Sequence, residues 1–244
     1  MWTDYRVFWR EFRQHYHTTG AIAPSGRPLA AALTRFVTGE PRRPRPKPQL
    51  SKLQPSKPQP SESQHAHAHP GPARRILEVG PGTGAVTTAL VRGLRPDDSL
   101  DLVELNASFV QHLRQRFERE PAFRSVGSRS RVLHQPLETL PPDASYDLII
   151  SGLPLNNFSV PAVEEILTAY RRLLRPGGTL SFFEYIAIRH ARSLVSGRAE
   201  RARLQGISRA LAALFAEGRI ARDWVWSNLP PAWVHHVRLP PGQA

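Results

Sequence analysis

Ile76-Leu-Glu-Val-Gly-Pro-Gly-Thr-Gly-Ala-Val-Thr-Thr-Ala-Leu90 is the stretch whose reading decides the fold. It has the pattern of a buried strand, a glycine-rich turn and the start of a helix. Glycines at 80, 82 and 84 remove the Cβ atoms that would keep a ligand away from the main chain. An acidic residue, Glu104, closes the next apolar run, Leu100-Asp-Leu-Val-Glu-Leu105. An acid at that point of a doubly wound sheet accepts hydrogen bonds from a ribose diol. Strand, turn, helix and acidic second strand stand in register, which makes a turn that only joins strand to helix the weaker reading.

The spacing is G-x-G-x-G preceded by Glu78, whereas the dinucleotide fingerprint is G-x-G-x-x-G. It resembles motif I, E/D-x-G-x-G-x-G, of the class I S-adenosylmethionine-dependent methyltransferases. The resemblance implies that Glu78, Gly80, Pro81, Gly82, Thr83 and Gly84 cradle the methionine part of S-adenosylmethionine, with S-adenosylhomocysteine as the product. It also implies that Glu104 binds the ribose hydroxyls, with Leu105 and Asn106 beside it. A carboxylate at Glu78 suits a cationic sulfonium with a free amino group and would repel a pyrophosphate.

Downstream the pattern alternates strand and helix, as in a parallel sheet. Strands are predicted at 75–79, 99–104, 131–134, 146–151 and 178–184, and helices at about 84–93, 107–119 and 161–174. Arg175-Pro-Gly-Gly178 reads as a tight turn entering the fifth strand. Two strand-like runs, 220–227 and 233–239, close the chain as an antiparallel pair. The expected fold is α/β: a Rossmann-like class I methyltransferase with a seven-stranded, mostly parallel sheet, a terminal antiparallel hairpin and an N-terminal amphipathic helix.

Three parts are expected. Residues 1–38 hold an aromatic stripe (Trp2, Tyr5, Phe8, Trp9, Phe12, Tyr16) flanked by Arg6, Arg10 and Arg13, then a substrate-side loop and a helix begun by Pro28. Rings and arginines on one helix suit a bilayer interface or an ordinary core contact, and periodicity does not separate the two. Residues 39–72 are rich in Pro, Lys, Arg, Gln and Ser and are too poor in apolar residues to fold, so they read as a disordered insertion. Histidines 65, 67 and 69 fall there, where no fixed ligand geometry exists, and no metal site is expected. Residues 73–244 are the methyltransferase domain. Within it, 191–217 reads as a basic amphipathic helix that lies on a membrane, on nucleic acid or on the sheet itself.

The chain has 244 residues, a net charge of +13 with arginine far outnumbering lysine, and no cysteine. Disulfides and thiolate metal sites are excluded. The charge points to an anionic partner, or to the codon bias of a GC-rich genome. No apolar window of about 20 residues is present. Met1-Trp-Thr-Asp-Tyr5 lacks a charged leader followed by an apolar run, so a cytoplasmic protein is expected.

The acceptor belongs at the end of the fourth strand, in Tyr146-Asp-Leu-Ile-Ile-Ser-Gly-Leu-Pro-Leu-Asn-Asn-Phe158. Enzymes that methylate planar amino groups carry Asn/Asp-Pro-Pro-Tyr/Phe or Asn-Leu-Pro-Tyr/Phe here. This chain has Ser151 in the first place and Leu155 after the proline, so both the planar-amine acceptor and the stacking ring are missing. An sp³ amine needs no flat slot.

Ser151-Gly-Leu-Pro-Leu-Asn-Asn-Phe158, Thr19-Gly-Ala-Ile-Ala-Pro-Ser25 and Val225-Trp-Ser-Asn-Leu-Pro-Pro-Ala232 together resemble the bacterial phospholipid N-methyltransferases. That family is similar in turn to the rRNA adenine dimethyltransferases. The resemblance implies a peripheral enzyme at the inner membrane face that methylates the amine of phosphatidylethanolamine toward phosphatidylcholine. Its partner would be an anionic phospholipid surface, nucleic acid being the lesser alternative, with no obligate protein partner evident. Ser151 and Gly152 would border the cofactor.

The family usually has an acidic pair after the third strand, facing the adenine. His134-Gln-Pro-Leu-Glu138 has none, so Gln135, Pro136 and Leu137 are left to form that pocket. Asn156, Tyr185 and the backbone of Leu153 are the candidates to steer the amine or take its proton. A relic that keeps the cofactor fold only to bind lipid or RNA is the non-enzymatic alternative.

Overall fold

The computed structural model describes residues 26–39, 72–141, 145–186, 197–228 and 230–240. The N-terminal aromatic stripe, the histidine tract, nearly all of the 39–72 insertion and the first residues of the 191–217 helix lie outside them. Seven strands form one sheet: β1 (Arg75–Val79), β2 (Ser99–Val103), β3 (Ser130–Leu133), β4 (Tyr146–Ser151), β5 (Leu174–Tyr185), β6 (Arg219–Val225) and β7 (Ala232–Arg238). The helices are α1 (Arg27–Thr38), α2 (Ala85–Gly93), α3 (Ala107–Arg119), the single turn α4 (Pro121–Arg124), α5 (Val160–Leu173) and α6 (Arg198–Gly218).

The strand order is β3-β2-β1-β4-β5-β7-β6. β1 to β5 pair in parallel, and β7 runs antiparallel to both β5 and β6. This is the Rossmann-like sheet with an antiparallel C-terminal pair that the alternating pattern predicts. Because β1 lies between β2 and β4, the chain leaves the sheet centre in opposite directions there. The crevice beyond the strand ends at such a reversal is where this class of sheet binds ligands.

Both faces of the sheet are covered, which is why its central strands are apolar on both sides. Leu77, Val79, Ile149, Leu180 and Phe182 pack under α5 and α6. Ile76, Leu100, Leu102, Leu148, Ile150 and Phe183 pack under α1, α2 and α3. α1 supplies fully buried Leu29 and Leu33 with Val37 to that second face, so it is a core helix of the sheet. α6 buries Leu204, Ile207, Leu211 and Leu214. Of the three placements its sequence allowed, the one on the sheet is observed.

Two polar chains tie the layers together. Asp101 accepts from Arg131 at 2.6 Å and from the Tyr146 hydroxyl at 2.8 Å. On the α1 face, Arg35 donates to Asp223 at 2.8 Å, and His236 stands between Asp223 (3.3 Å) and Ser181 (2.8 Å). Burial pulls the His236 pKa below its ordinary value, against the pull of the Asp223 hydrogen bond. Ser181, His236 and Asp223 have the connectivity of a nucleophile relay. Ser181 and His236 are buried within the sheet layer, so their link to Arg35 fastens α1 to the sheet and meets no substrate.

One expectation is corrected. Arg175-Pro-Gly-Gly178 does not precede the fifth strand but interrupts it. Leu174 already pairs with Tyr146, and pairing resumes at Thr179 opposite Leu148. Gly177 has a φ of 76°, and Arg175 makes an ion pair with Asp147 across the gap. The excursion is a bulge held at its base, not a free turn. The other strands match their expected bounds to within two residues at either end.

If α1 belongs to the core, Leu33→Ala should lower the unfolding free energy by about 2–5 kcal/mol, the range for large-to-small changes at buried sites. Urea unfolding followed by circular dichroism would measure it. A change below about 0.5 kcal/mol, the surface value, would contradict this placement.

Candidate active site

β1 delivers the chain into the glycine turn, where Gly80, Gly82 and Gly84 all have left-handed φ (67°, 56° and 81°). Their surroundings differ. A Cβ on Gly84 would stand 2.6 Å from the Arg116 guanidinium and 2.9 Å from Leu113, so this glycine is needed for packing. A Cβ on Gly82 would meet nothing within 4 Å. It would project into the open space beside the turn.

The turn has few side chains to hold it, so its main-chain groups are held by polar contacts from two sides. Glu104, just past β2, accepts from the Gly82 N–H at 3.1 Å with one oxygen. With the other it accepts from the Leu105 and Asn106 N–H groups, both at 2.8 Å. Arg116 on α3 donates to the Thr83 and Gly84 carbonyls at 3.0 and 2.9 Å and to the Thr88 hydroxyl at 3.0 Å. Arg116 is itself paired with Glu120 at 2.6 Å and stacked over Phe123. Nothing in the sequence marks Arg116: it sits among other arginines on a basic helix, and only the crossing of α3 over the turn singles it out.

Glu78 is fully buried. One of its oxygens accepts from the Thr87 hydroxyl at 2.7 Å, and the other has no hydrogen-bond partner among the described residues. Burial raises its pKa to about 8, with the Thr87 hydrogen bond opposing and the charge of Glu104 adding to the rise. Burial also raises Glu104, against the three backbone N–H groups that favour its charged form. An unpartnered buried acceptor is costly unless something completes it. A ligand ammonium would do so, and this orphan oxygen, together with the space at Gly82, fits S-adenosylmethionine.

A cleft runs from this turn across the ends of β1, β2 and β4. It is lined by Gly80, Glu104, Leu105, Gln135, Leu137 and Leu153, among others. The turn, the acid after β2 and the His134–Glu138 segment therefore converge as expected. Pro136 precedes a short 3₁₀ turn that begins at Leu137. Pro81 is buried and Thr83 exposed on the turn, and Gly152 packs against the Gly80 carbonyl. Two expected side chains are committed elsewhere. Asn106 caps α3 by accepting from the Ser108 N–H at 2.9 Å. The Ser151 hydroxyl accepts from the Tyr170 hydroxyl at 2.7 Å and from the Leu153 N–H at 3.2 Å. Besides their main chains, Asn106 keeps only its amide N–H groups and Ser151 only its O–H proton to offer a cofactor.

A second cleft is lined by Pro154, Leu155, Asn156, Asn157, Phe183, Glu184 and Tyr185. Consecutive residues Leu153 and Pro154 line the first and the second cleft, so the two are neighbours. Asn156 and Tyr185 share the second cleft, while Leu153 lines the first. Arg203 of α6 donates to the Asn156 carbonyl at 3.0 Å and also to the Phe158 carbonyl. The sequence read the 191–217 helix as basic and amphipathic and assigned Arg203 no particular role, whereas it braces the acceptor loop. Behind Glu184, at 2.9 Å, stands Nε2 of the buried His235, at ion-pair distance but off the hydrogen-bond axis.

Gly82→Val should lose S-adenosylhomocysteine binding in calorimetry, because its side chain enters the open space beside the turn and its φ of 56° strains any residue with a Cβ. Gly84→Val should lower stability first. Normal binding by Gly82→Val would refute the cradle. At pH 7 a Glu78 with a pKa near 8 is protonated, and between its ordinary value of 4.5 and about 8 the folded state binds more protons than the unfolded one. Stability of the free protein should therefore fall as pH rises through that window. An ammonium placed at the orphan oxygen lowers the pKa again. Titration in two buffers of different ionisation heat should then show proton release on binding, and Glu78→Gln should abolish it. Equal heats in both buffers for the wild type would show that Glu78 does not meet the cation.

Residues 76–178 match a family model described as a methyltransferase domain. Ornithine lipid N-methyltransferase of Singulisphaera acidiphila is 29% identical over 109 residues, which are 45% of this chain and 56% of that protein. A highly reducing polyketide synthase of Pyricularia oryzae is 34% identical over 123 residues, 46% of this chain and 4% of that protein. The chain thus spans about half of one of these relatives and a small part of the other. Among solved structures, the O-methyltransferase involved in tomaymycin synthesis from Streptomyces achromogenes, in complex with S-adenosylmethionine, superposes with a TM-score of 0.52 at 20% identity. The alignment covers 69% of this chain and 74% of that one. With the sheet order, the glycine cradle and the acid after β2, the family match marks residues 76–178 as an S-adenosylmethionine-dependent methyltransferase domain on a Rossmann-like sheet.

Proposed function

We propose that this chain is an N-methyltransferase of lipid amines. It would act at the membrane surface on phosphatidylethanolamine and its mono- and dimethyl forms, toward phosphatidylcholine. Ornithine-type aminolipids fit the same site logic. The observation that carries the reading is the floor of the acceptor cleft. A planar base needs a hydrogen-bond acceptor at 151 and a ring at 155. Here the Ser151 hydroxyl is bound to Tyr170, and Leu155 is a buried aliphatic. Neither can grip a flat amine, while a tetrahedral one needs no such grip. The similarity to an ornithine lipid N-methyltransferase supports the same class of acceptor. The alternative, an rRNA adenine N6-dimethyltransferase-like activity, lacks both planar-amine contacts. No helix among the described residues is long and apolar enough to cross a membrane, which is compatible with peripheral attachment at the inner face of a cytoplasmic membrane.

S-adenosylmethionine, once bound, supplies an electrophilic methyl group. What the chain supplies is position, and position accounts for much of the acceleration in such a transfer. The amine must arrive without its proton, because only the neutral form has a lone pair. That lone pair forms the new C–N bond, the C–S bond electrons stay on sulfur, and after the first and second transfers the extra proton on nitrogen leaves, while the third leaves a quaternary nitrogen. Removal from bulk water beside a positive sulfonium favours the neutral amine. Asn156 and Tyr185 would steer it, and Arg203 fixes the Asn156 main chain from below.

Incubation with methyl-labelled S-adenosylmethionine and either mixed phospholipid vesicles or total RNA should put label in the lipid extract. Label confined to RNA would overturn the reading. Tyr185→Phe should reduce turnover about tenfold or more, in line with the contribution of a positioned polar group. Full turnover would remove Tyr185 from the mechanism.

A further inference from the structure

β6 is the edge strand of the sheet among the described residues, and its outer surface is unlike the rest of them. Ile220, Trp224 and Trp226 are exposed at 42%, 41% and 62%, and they are the large exposed hydrophobics among the described residues. The two indoles stack on each other at 5.3 Å. Trp224 also meets Trp233 of β7 edge to face at 5.4 Å. Arg222 lies over both Trp224 and Trp233, at 5.4 and 5.2 Å from the ring centres, and Arg219 lies beside them over Phe215. The one acid of the strand, Asp223, is turned away and bound to Arg35 and His236. The Trp233 indole N–H is buried with no acceptor among the described residues.

A bare edge strand carrying apolar side chains invites wrong pairing unless something covers it. Indoles with an aliphatic neighbour and arginines around them match the headgroup level of a bilayer. There the rings sit at the interface and the cations meet lipid phosphate. The stack with Trp226 and the Arg222 guanidinium cover part of Trp224, so a nucleic-acid base would have only Trp226 to stack on. The patch is also continuous with the acceptor side. On one face of the sheet, Trp224 is paired across the strands with Trp233, and Trp233 with Glu184, which lines the acceptor cleft.

We infer that the β6 edge, through Ile220, Trp224 and Trp226 with Arg219 and Arg222, docks on an anionic phospholipid surface and sets the acceptor cleft toward the headgroups. The choice of partner rests on the lipid-amine reading, while the geometry of the patch does not.

The test uses the full chain without cofactor and vesicles of phosphatidylglycerol and phosphatidylcholine, which carry no acceptor amine, so a failure of the methylation reading does not affect it. In co-sedimentation, Trp224→Ala/Trp226→Ala should weaken vesicle binding at least tenfold. Arg219→Gln/Arg222→Gln should remove much of the dependence on phosphatidylglycerol and on salt. Because a double alanine variant can misfold, a second measurement keeps the structure intact. In a Trp2→Phe/Trp9→Phe background, the three remaining tryptophans should be quenched by bromine-labelled lipid at shallow depth. Vesicle binding unchanged in the alanine variant, or bound protein with no quenching, overturns the inference. So does an effect of the alanine variant on RNA retention or self-association in place of vesicle binding.

Discussion

Three alternate left-handed glycines can approach a ligand only if something other than their own side chains holds them still. Glu104 on one side and Arg116 on the other do this, one taking an N–H of the turn and the other two of its carbonyls. A turn held by polar contacts at both ends keeps its inner face free, as a pre-organised site requires. The two braces come from β2 and α3, so the cradle exists only when β2 is paired to β1 and α3 has crossed over the turn. The same constraint explains the buried acids. Glu78 and Glu104 lie at the end of the sheet because a cationic ligand is to sit there, and without it one of Glu78's oxygens has no partner.

The acceptor side is organised on the same principle with different residues. The Leu155–Asn157 turn offers its carbonyls to Arg203, and Ser151 is fixed by Tyr170 from α5. α5 and α6 thus define the acceptor floor, while α2 and α3 define the cofactor cradle. Transfer between the clefts depends on β4, whose end carries Leu153 and Pro154 between them. The bulge at 175–178 lies at the far end of the same strand pair, away from the chemistry.

The positive charge takes on a different meaning in the folded chain. Arg35, Arg74, Arg116, Arg131 and Arg203 are bound to carboxylates or carbonyls within the fold. Much of the arginine content is therefore structural. The delocalised, many-donor guanidinium suits such multiple contacts better than an ammonium does. The arginines left at the surface are fewer than composition suggests, and Arg219 and Arg222 at the β6 edge are among them.

The strand bounds, the parallel order, the glycine turn and the acid after β2 were legible because each is a local pattern: a continuous apolar run, a spacing, a period. Asn156 and Tyr185 could be grouped from sequence because strand ends converge in this kind of sheet. The roles of Arg116 and Arg203 could not be seen, since an arginine on a helix reads as solvated until the packing angle shows what lies beneath it. Nor could the strand pairing at Leu174, which depends on where Tyr146 falls on the neighbouring strand. The sequence alone determined what the chain can bind, through residues whose chemistry is tied to their spacing. The tertiary structure decided which side chains hold that site in shape, because hydrogen bonds between residues distant in the chain form only when separate elements pack together.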